Sequence, residues 1–140
     1  NSRIIDYVVG IDARGFILAA ALAYKLHLGF IPIRKAGKLP PLDTLRKPVT
    51  LEYGQAELEI VRGKGRVIIV DDIMATGGTM QAAWELCGDA GYIPMQALVL
   101  LNIRYLNRHN LWFTTSSLLD YECRDSPKCQ PTKHDPYAGC

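Results

Sequence analysis

The 140-residue chain is 49% hydrophobic and 21% charged, long enough for one domain with a core, short for two, and too apolar to be disordered. Its 16 Lys and Arg against 14 Asp and Glu leave a formal net charge of +2, which argues against nucleic-acid binding through bulk charge. No apolar run approaches the ~20 residues of a membrane-crossing helix.

The opening Asn1-Ser2-Arg3-Ile4 has neither an initiator Met nor a signal-peptide profile, so the start of the protein is expected to be missing. Residues 4–11 are a β-branched run suited to a strand buried on both faces. Gly15 to His27 reads as an Ala- and Leu-rich helix that stops near Gly29. Gly29 to Arg34 reads as a second strand, with Pro32 pointing to an edge or irregular position. Residues 35–50 hold Pro40, Pro41, Pro48, Gly37 and several cations. They predict a long exposed loop of the kind that serves as a lid. Leu51 to Val61 suits strands around a turn at Gly54. Val67 to Val70 is the most strand-like run and ends at Asp71-Asp72. The helix that follows puts Met80, Ala83, Trp84 and Cys87 on one face, as core residues rather than ligands, and Gly88 and Gly91 close it. Ile93 to Ile103 reads as a strand and Leu111 to Leu119 as a weaker one. Strand and helix alternating in this order predict an α/β domain over residues 1–122, with a mainly parallel sheet flanked by helices.

Residues 123–140 contain no Ile, Leu, Val, Met, Phe or Trp but three prolines, and predict an irregular tail. Cys123, Cys129, His134 and Cys140 offer four zinc-ligand types, at spacings looser than those of structural zinc sites. Cys87 lies apart in an apolar helix, so no disulfide framework spans the domain, and a reducing cytoplasm is the expected compartment.

The chemistry concentrates in residues 67–79, Val-Ile-Ile-Val-Asp-Asp-Ile-Met-Ala-Thr-Gly-Gly-Thr. A buried parallel strand carries Asp71 and Asp72 to the carboxyl edge of the sheet, where ligands of open α/β sheets bind. A small, Gly-rich turn then opens into a helix, exposing backbone N–H groups at the positive end of its dipole. Thr76 and Thr79 add hydroxyls. Two carboxylates would repel a bare phosphate, but they suit sugar hydroxyls or an accompanying cation. A ribose 5-phosphate fits that pattern. Neither a Walker-type Gly-x-x-x-x-Gly-Lys-Ser/Thr nor a Gly-x-Gly-x-x-Gly occurs, so triphosphate and dinucleotide readings lose their usual support.

This segment resembles the phosphoribosyl pyrophosphate signature of type I phosphoribosyltransferases. Asp12-Ala13-Arg14-Gly15-Phe16, Arg34-Lys35-Ala36-Gly37-Lys38-Leu39-Pro40 and Leu51-Glu52-Tyr53-Gly54 narrow the resemblance to the adenine phosphoribosyltransferases, from about Ile4 to Glu122. The resemblance implies that family's sheet and flexible loop. It also implies a reaction, in which adenine and phosphoribosyl pyrophosphate give AMP and pyrophosphate, with magnesium held mainly by substrate and no metal ligand assigned to the chain. Ala75, Thr76, Gly77, Gly78 and Thr79 would hold the 5-phosphate, and Asp71 and Asp72 the ribose hydroxyls. Arg14, Lys35 and Lys38 would face the pyrophosphate. Glu52 would lie near the base, with Tyr53 on the mobile loop above. A homodimer is also implied, with no nucleic-acid or membrane partner.

Read without the resemblance, the cations of residues 35–47 would be an ordinary solvated loop. A cation at Arg14, beside a helix N-terminus, opposes the dipole and calls for an anionic partner. Against the family pattern, the N-terminal segment that forms a hood over adenine is expected to be absent, the connection 60–66 is short, and the tail has no counterpart. Another purine phosphoribosyltransferase, using hypoxanthine, guanine or xanthine, remains an alternative. So does a regulator that binds phosphoribosyl pyrophosphate without turnover.

Overall fold

Consecutive β-branched residues face opposite sides of a strand, so a run such as Val8-Val9 needs an apolar layer on both faces of its sheet. The computed structural model, which describes residues 4–51 and 54–122, supplies those layers. Strand β1 (Tyr7–Ile11) leads to helix α1 (Gly15–Leu26) and strand β2 (Gly29–Lys35). Strands β3 (Thr44–Leu51) and β4 (Gly54–Val61) form a hairpin, and β5 (Gly65–Met74), helix α2 (Gly78–Asp89) and β6 (Tyr92–Ile103) follow. A short 3-10 turn at Arg104–Leu106 precedes β7 (Thr115–Tyr121).

The sheet order is β3-β4-β2-β1-β5-β6-β7. The five strands from β2 to β7 run parallel, and the β3–β4 hairpin joins the β2 edge antiparallel. Helix α1 packs with Val8, Ile68 and Val70 through Ala19 and Ala23. Helix α2 packs with Val9, Ile11, Ile69 and Val99 through Met80, Ala83, Trp84 and Cys87. Neighbours Val8 and Val9, and Ile68 and Ile69, thus divide between two cores on opposite faces. Trp84 also stacks on Phe113, with ring centroids 4.0 Å apart. Burial pushes the Cys87 thiol up to about 12, which makes it a core residue and not a nucleophile.

Several boundaries differ from the expectations. Helix α1 ends at His27, which takes a left-handed conformation (φ 54°) and donates its N–H to the carbonyls of Ala23 and Tyr24. Residues 44–50, expected within a long loop, form β3 together with Leu51, in full register with β4. An outer strand tolerates Pro48, whose missing donor need only face the open side, and its Lys47 reaches across to Glu85 (2.9 Å) and Asp89 (3.0 Å) on α2. Strand β5 does not stop at Asp71-Asp72 but runs on to Met74, because β6 still pairs with it there. Pro32 pairs with Gly10 on one side, while β4 joins β2 only at Arg34 and Lys35, so the edge at Pro32 is open as expected. Pro94 sits where the β5–β6 register shifts, a place for a residue that cannot donate. The tail 123–140, with its zinc-ligand candidates, lies outside the described residues.

Candidate active site

From β1 the chain crosses to β2 on one side, and from β5 it crosses to β6 on the other. The sheet therefore changes direction between β1 and β5, and the carboxyl ends there diverge into a crevice. A cleft of about 290 Å3 opens at that point, lined by Asp12, Ala13 and Arg14 after β1, Lys35 at the end of β2, and residues 71–80 from β5 into α2. The peptide bond between Asp12 and Ala13 is cis.

At one end of the cleft, Gly77 caps α2 with φ 91°, a left-handed conformation that favours glycine. Helix α2 has no side-chain cap bond from Gly77 and no acid in its first turn, so this end of the helix carries its positive partial charge without a neighbouring carboxylate of its own. The Gly78 N–H leans on Thr76 Oγ1 at 3.4 Å. The turn is braced from behind, since the Thr76 carbonyl accepts the N–H groups of Arg108 and His109, each at 3.1 Å. The His109 ring meets Gln81 Oε1 through Nδ1 at 3.0 Å.

The floor carries the acid pair. Asp71 Oδ1 accepts the Asp72 N–H and Asp72 Oδ1 the Ile73 N–H, both at 2.9 Å. Burial pushes the Asp71 carboxyl up to about 7; Asp72 adds to the shift as a charged neighbour, while its N–H bond and Arg14 oppose it. Gly15 lets the helix start approach this floor, since a Cβ there would come within 2.9 Å of Asp71 Oδ1.

The opposite wall is cationic. Arg14 Nε meets Asp72 Oδ2 at 2.8 Å with its own side chain 74% exposed, which supplies the anionic partner expected of a cation at this helix start. Lys35 lines the cleft beside it. Arg34 Nε reaches Asp12 Oδ2 at 3.3 Å, and Arg34 Nη1 donates to the Lys38 carbonyl at 3.1 Å.

The cleft thus gathers Arg14, Lys35, Asp71, Asp72 and Ala75 through Thr79 from the sequence-derived set. Lys38 is not in its lining; its side chain is exposed, and its backbone N–H bonds to Glu59 at 2.8 Å. Glu52 and Tyr53 lie outside the described residues. Asp12 and Thr50 line the cleft without having been assigned a role. Asp12 stood inside a quoted motif, whereas Thr50 carried no signal.

A Gly-rich helix start, the cations Arg14 and Lys35 and the carboxylates of Asp71 and Asp72 thus share one cleft, an arrangement that defines a site suited to anionic groups. The sequence matches the phosphoribosyl transferase domain family over residues 2–113. It is 55% identical over 104 residues to an adenine phosphoribosyltransferase of Bdellovibrio bacteriovorus, covering 74% of this chain and 62% of that protein. A relative of the same name from Neisseria meningitidis serogroup C is 52% identical over 101 residues, covering 69% of this chain and 53% of that one. The crystal structure of the Thermoanaerobacter pseudethanolicus adenine phosphoribosyltransferase superposes with a TM-score of 0.77 at 38% identity, over 86% of this chain and 73% of that one. The Saccharomyces cerevisiae enzyme, solved with adenine and an imino-altritol bisphosphate, also gives 0.77, at 37% identity over 84% and 69%. The chain belongs to the phosphoribosyltransferase domain family and, within it, to the adenine phosphoribosyltransferases. It spans less than two thirds of the length of these two curated relatives.

Proposed function

We propose that the protein transfers the 5-phosphoribosyl group of phosphoribosyl pyrophosphate to adenine, releasing AMP and pyrophosphate, as a step of purine salvage. The observation that carries this reading is the gathering of the acid pair, the Gly-rich turn and the Arg14–Lys35 wall in one cleft at the change of sheet direction.

The 5-phosphate sits on Ala75 to Thr79, where backbone N–H groups and the Thr76 and Thr79 hydroxyls surround it. Asp71 and Asp72 accept the ribose hydroxyls and face the positive charge that grows on C1 as its bond to pyrophosphate breaks. Arg14 and Lys35 stabilise the negative charge that appears on the leaving group, and charge developing in a preorganised site is where such groups contribute most. Lys38, on the adjoining exposed turn, adds to the cationic field. Glu52 manages a proton at the purine, and Tyr53 covers the site and limits competing water.

The fold family implies magnesium, and the donor set fits it: Asp12, Asp71, Asp72 and the threonine hydroxyls are hard oxygen donors. In this reading the ion is held mainly by substrate and water beside the acid pair. When bound, the ion would offset part of the pyrophosphate charge.

The protein works as a cytoplasmic homodimer in this reading. Leu100 on β6 and Leu118 beside it on β7 are exposed on one face of the sheet, an apolar patch that a second subunit would cover. No helix among the described residues is long and apolar enough to cross a membrane. Sedimentation at micromolar protein tests the dimer. The reaction is tested with labelled adenine, hypoxanthine, guanine and xanthine, each with phosphoribosyl pyrophosphate and magnesium. AMP from adenine alone is expected; turnover of hypoxanthine without adenine would reject the base assignment, and binding without any product would identify a regulator.

A further inference from the structure

Glu59 is 1% exposed, the sole buried charged residue among those described, and it lies outside the cleft. A carboxylate so buried requires several donors to remain charged. It has them: the Lys38 N–H at 2.8 Å and the Leu39 N–H at 2.7 Å on Oε1, and Arg46 Nε at 3.2 Å on Oε2. Burial pushes its pKa up, but the N–H groups of Leu39, Gly37 and Lys38 together with Arg46 outweigh that and hold it below the ordinary range.

Two of these donors belong to the turn that follows β2, and that turn is anchored from two more directions. Glu59 stands opposite Arg34 in the β2–β4 register. Arg34 in turn holds the Lys38 carbonyl and Asp12, next to Arg14. The third donor, Arg46, belongs to β3 of the β3–β4 hairpin. One carboxylate therefore ties the hairpin to the Lys35–Leu39 turn, and through Arg34 to the turn that carries Arg14.

We propose that Glu59 is a positioning residue that presets the cationic wall of the cleft for pyrophosphate. This rests on the reading of that wall as the pyrophosphate end of the site. With a neutral amide in place of the carboxylate, the Lys38 and Leu39 N–H groups keep only an uncharged acceptor, an amide N–H donor meets the Arg46 guanidinium where an acceptor stood, and the turn and hairpin loosen, so that Lys35 and Arg14 no longer converge on one anion. Among the described residues no hydrogen bond or ion pair joins Ala75 to Thr79 directly to Glu59, Arg34 or Arg46, so a ligand that carries only the 5-phosphate is expected to be insensitive to Glu59.

The test is calorimetric titration of the wild-type chain and Glu59→Gln with inorganic pyrophosphate plus magnesium, and separately with AMP. Glu59→Gln is expected to weaken pyrophosphate about tenfold and AMP by less than about twofold. Unchanged pyrophosphate binding, or equal weakening of both ligands, overturns the inference, the latter by showing a purely structural role. A wild-type chain that binds AMP but no pyrophosphate rejects the reading of the wall itself. If Glu59→Gln does not fold, amide hydrogen exchange in the free wild-type chain decides. The Lys38 and Leu39 N–H groups are expected to be protected, and exchange at open-loop rates overturns the proposal.

Discussion

Asp71 is held in a conflict between stability and chemistry, and Asp71→Asn measures it. Its carboxyl titrates near 7 in the fold, against an ordinary 3.8, chiefly because burial disfavours the charge. Well below pH 3.8 the group is protonated in folded and unfolded chains alike and has no effect. Between about pH 4 and pH 7 the unfolded chain ionises while the folded one keeps its proton, so stability falls as pH rises. Each unit is worth ~1.36 kcal/mol, so the full shift of about three units sets an upper bound of ~4 kcal/mol above pH 7. Asparagine has the same shape, can accept the Asp72 N–H and never ionises. Asp71→Asn is therefore expected to gain stability over wild type as pH rises, the difference growing by ~2–3 kcal/mol between pH 5 and pH 8. Urea denaturation of both proteins at the two pH values measures this, the titrations of groups remote from Asp71 cancelling in the comparison. The same variant is expected to lose activity. A stability difference that stays constant to within ~0.5 kcal/mol would refute the burial argument, as would a variant less stable than wild type at pH 8.

Replacing both Asp71 and Asp72 by Asn is expected to abolish most turnover while the fold survives; activity within a factor of about three, under ~1 kcal/mol of barrier, would remove their ribose role. Lys35→Ala should weaken pyrophosphate and phosphoribosyl pyrophosphate but not AMP, whereas Gly77→Val, which strains a φ of 91° and crowds Leu111 and His109, should weaken AMP and phosphoribosyl pyrophosphate together. Titration of both variants with all three ligands separates these outcomes. Trp84→Ala removes a buried ring stacked on Phe113 and should cost ~3–5 kcal/mol in urea denaturation. Lys47→Met breaks the contacts to Glu85 and Asp89 but, with the Lys47 side chain 28% exposed, should cost under ~1 kcal/mol and less still in high salt.

The parts of the site legible in the sequence are those whose chemistry is local in the chain. Asp71 through Thr79 form one strand end, one turn and one helix start, so their types and spacing already define the cradle and the acid pair. Arg14 was legible because a cation at a helix start calls for an anion, and Asp72 answers it across the cleft. What stayed hidden depends on pairing between distant segments. Arg46, Lys47 and Pro48 look like part of a loop until β4 pairs with them and α2 offers Glu85 and Asp89 to Lys47. Strand β5 outlasts its β-branched run because β6 continues beside it. Glu59 gives no local sign of burial, since its partners lie 13 to 21 residues away in sequence. Lys38, read from its motif as facing pyrophosphate, keeps its side chain exposed outside the cleft lining while its backbone N–H bonds to Glu59.

The central claim is that one cleft holds two anionic groups at opposite ends, and amide chemical-shift mapping with each half of the substrate tests it directly. AMP is expected to shift the amides of Ala75 to Thr79. Pyrophosphate with magnesium is expected to shift those of Ala13 to Gly15 and Lys35 to Lys38, with little overlap between the two sets. Both ligands moving the same amides, or AMP acting at the Arg14–Lys35 wall and not at the α2 turn, would contradict the assignment of the cleft.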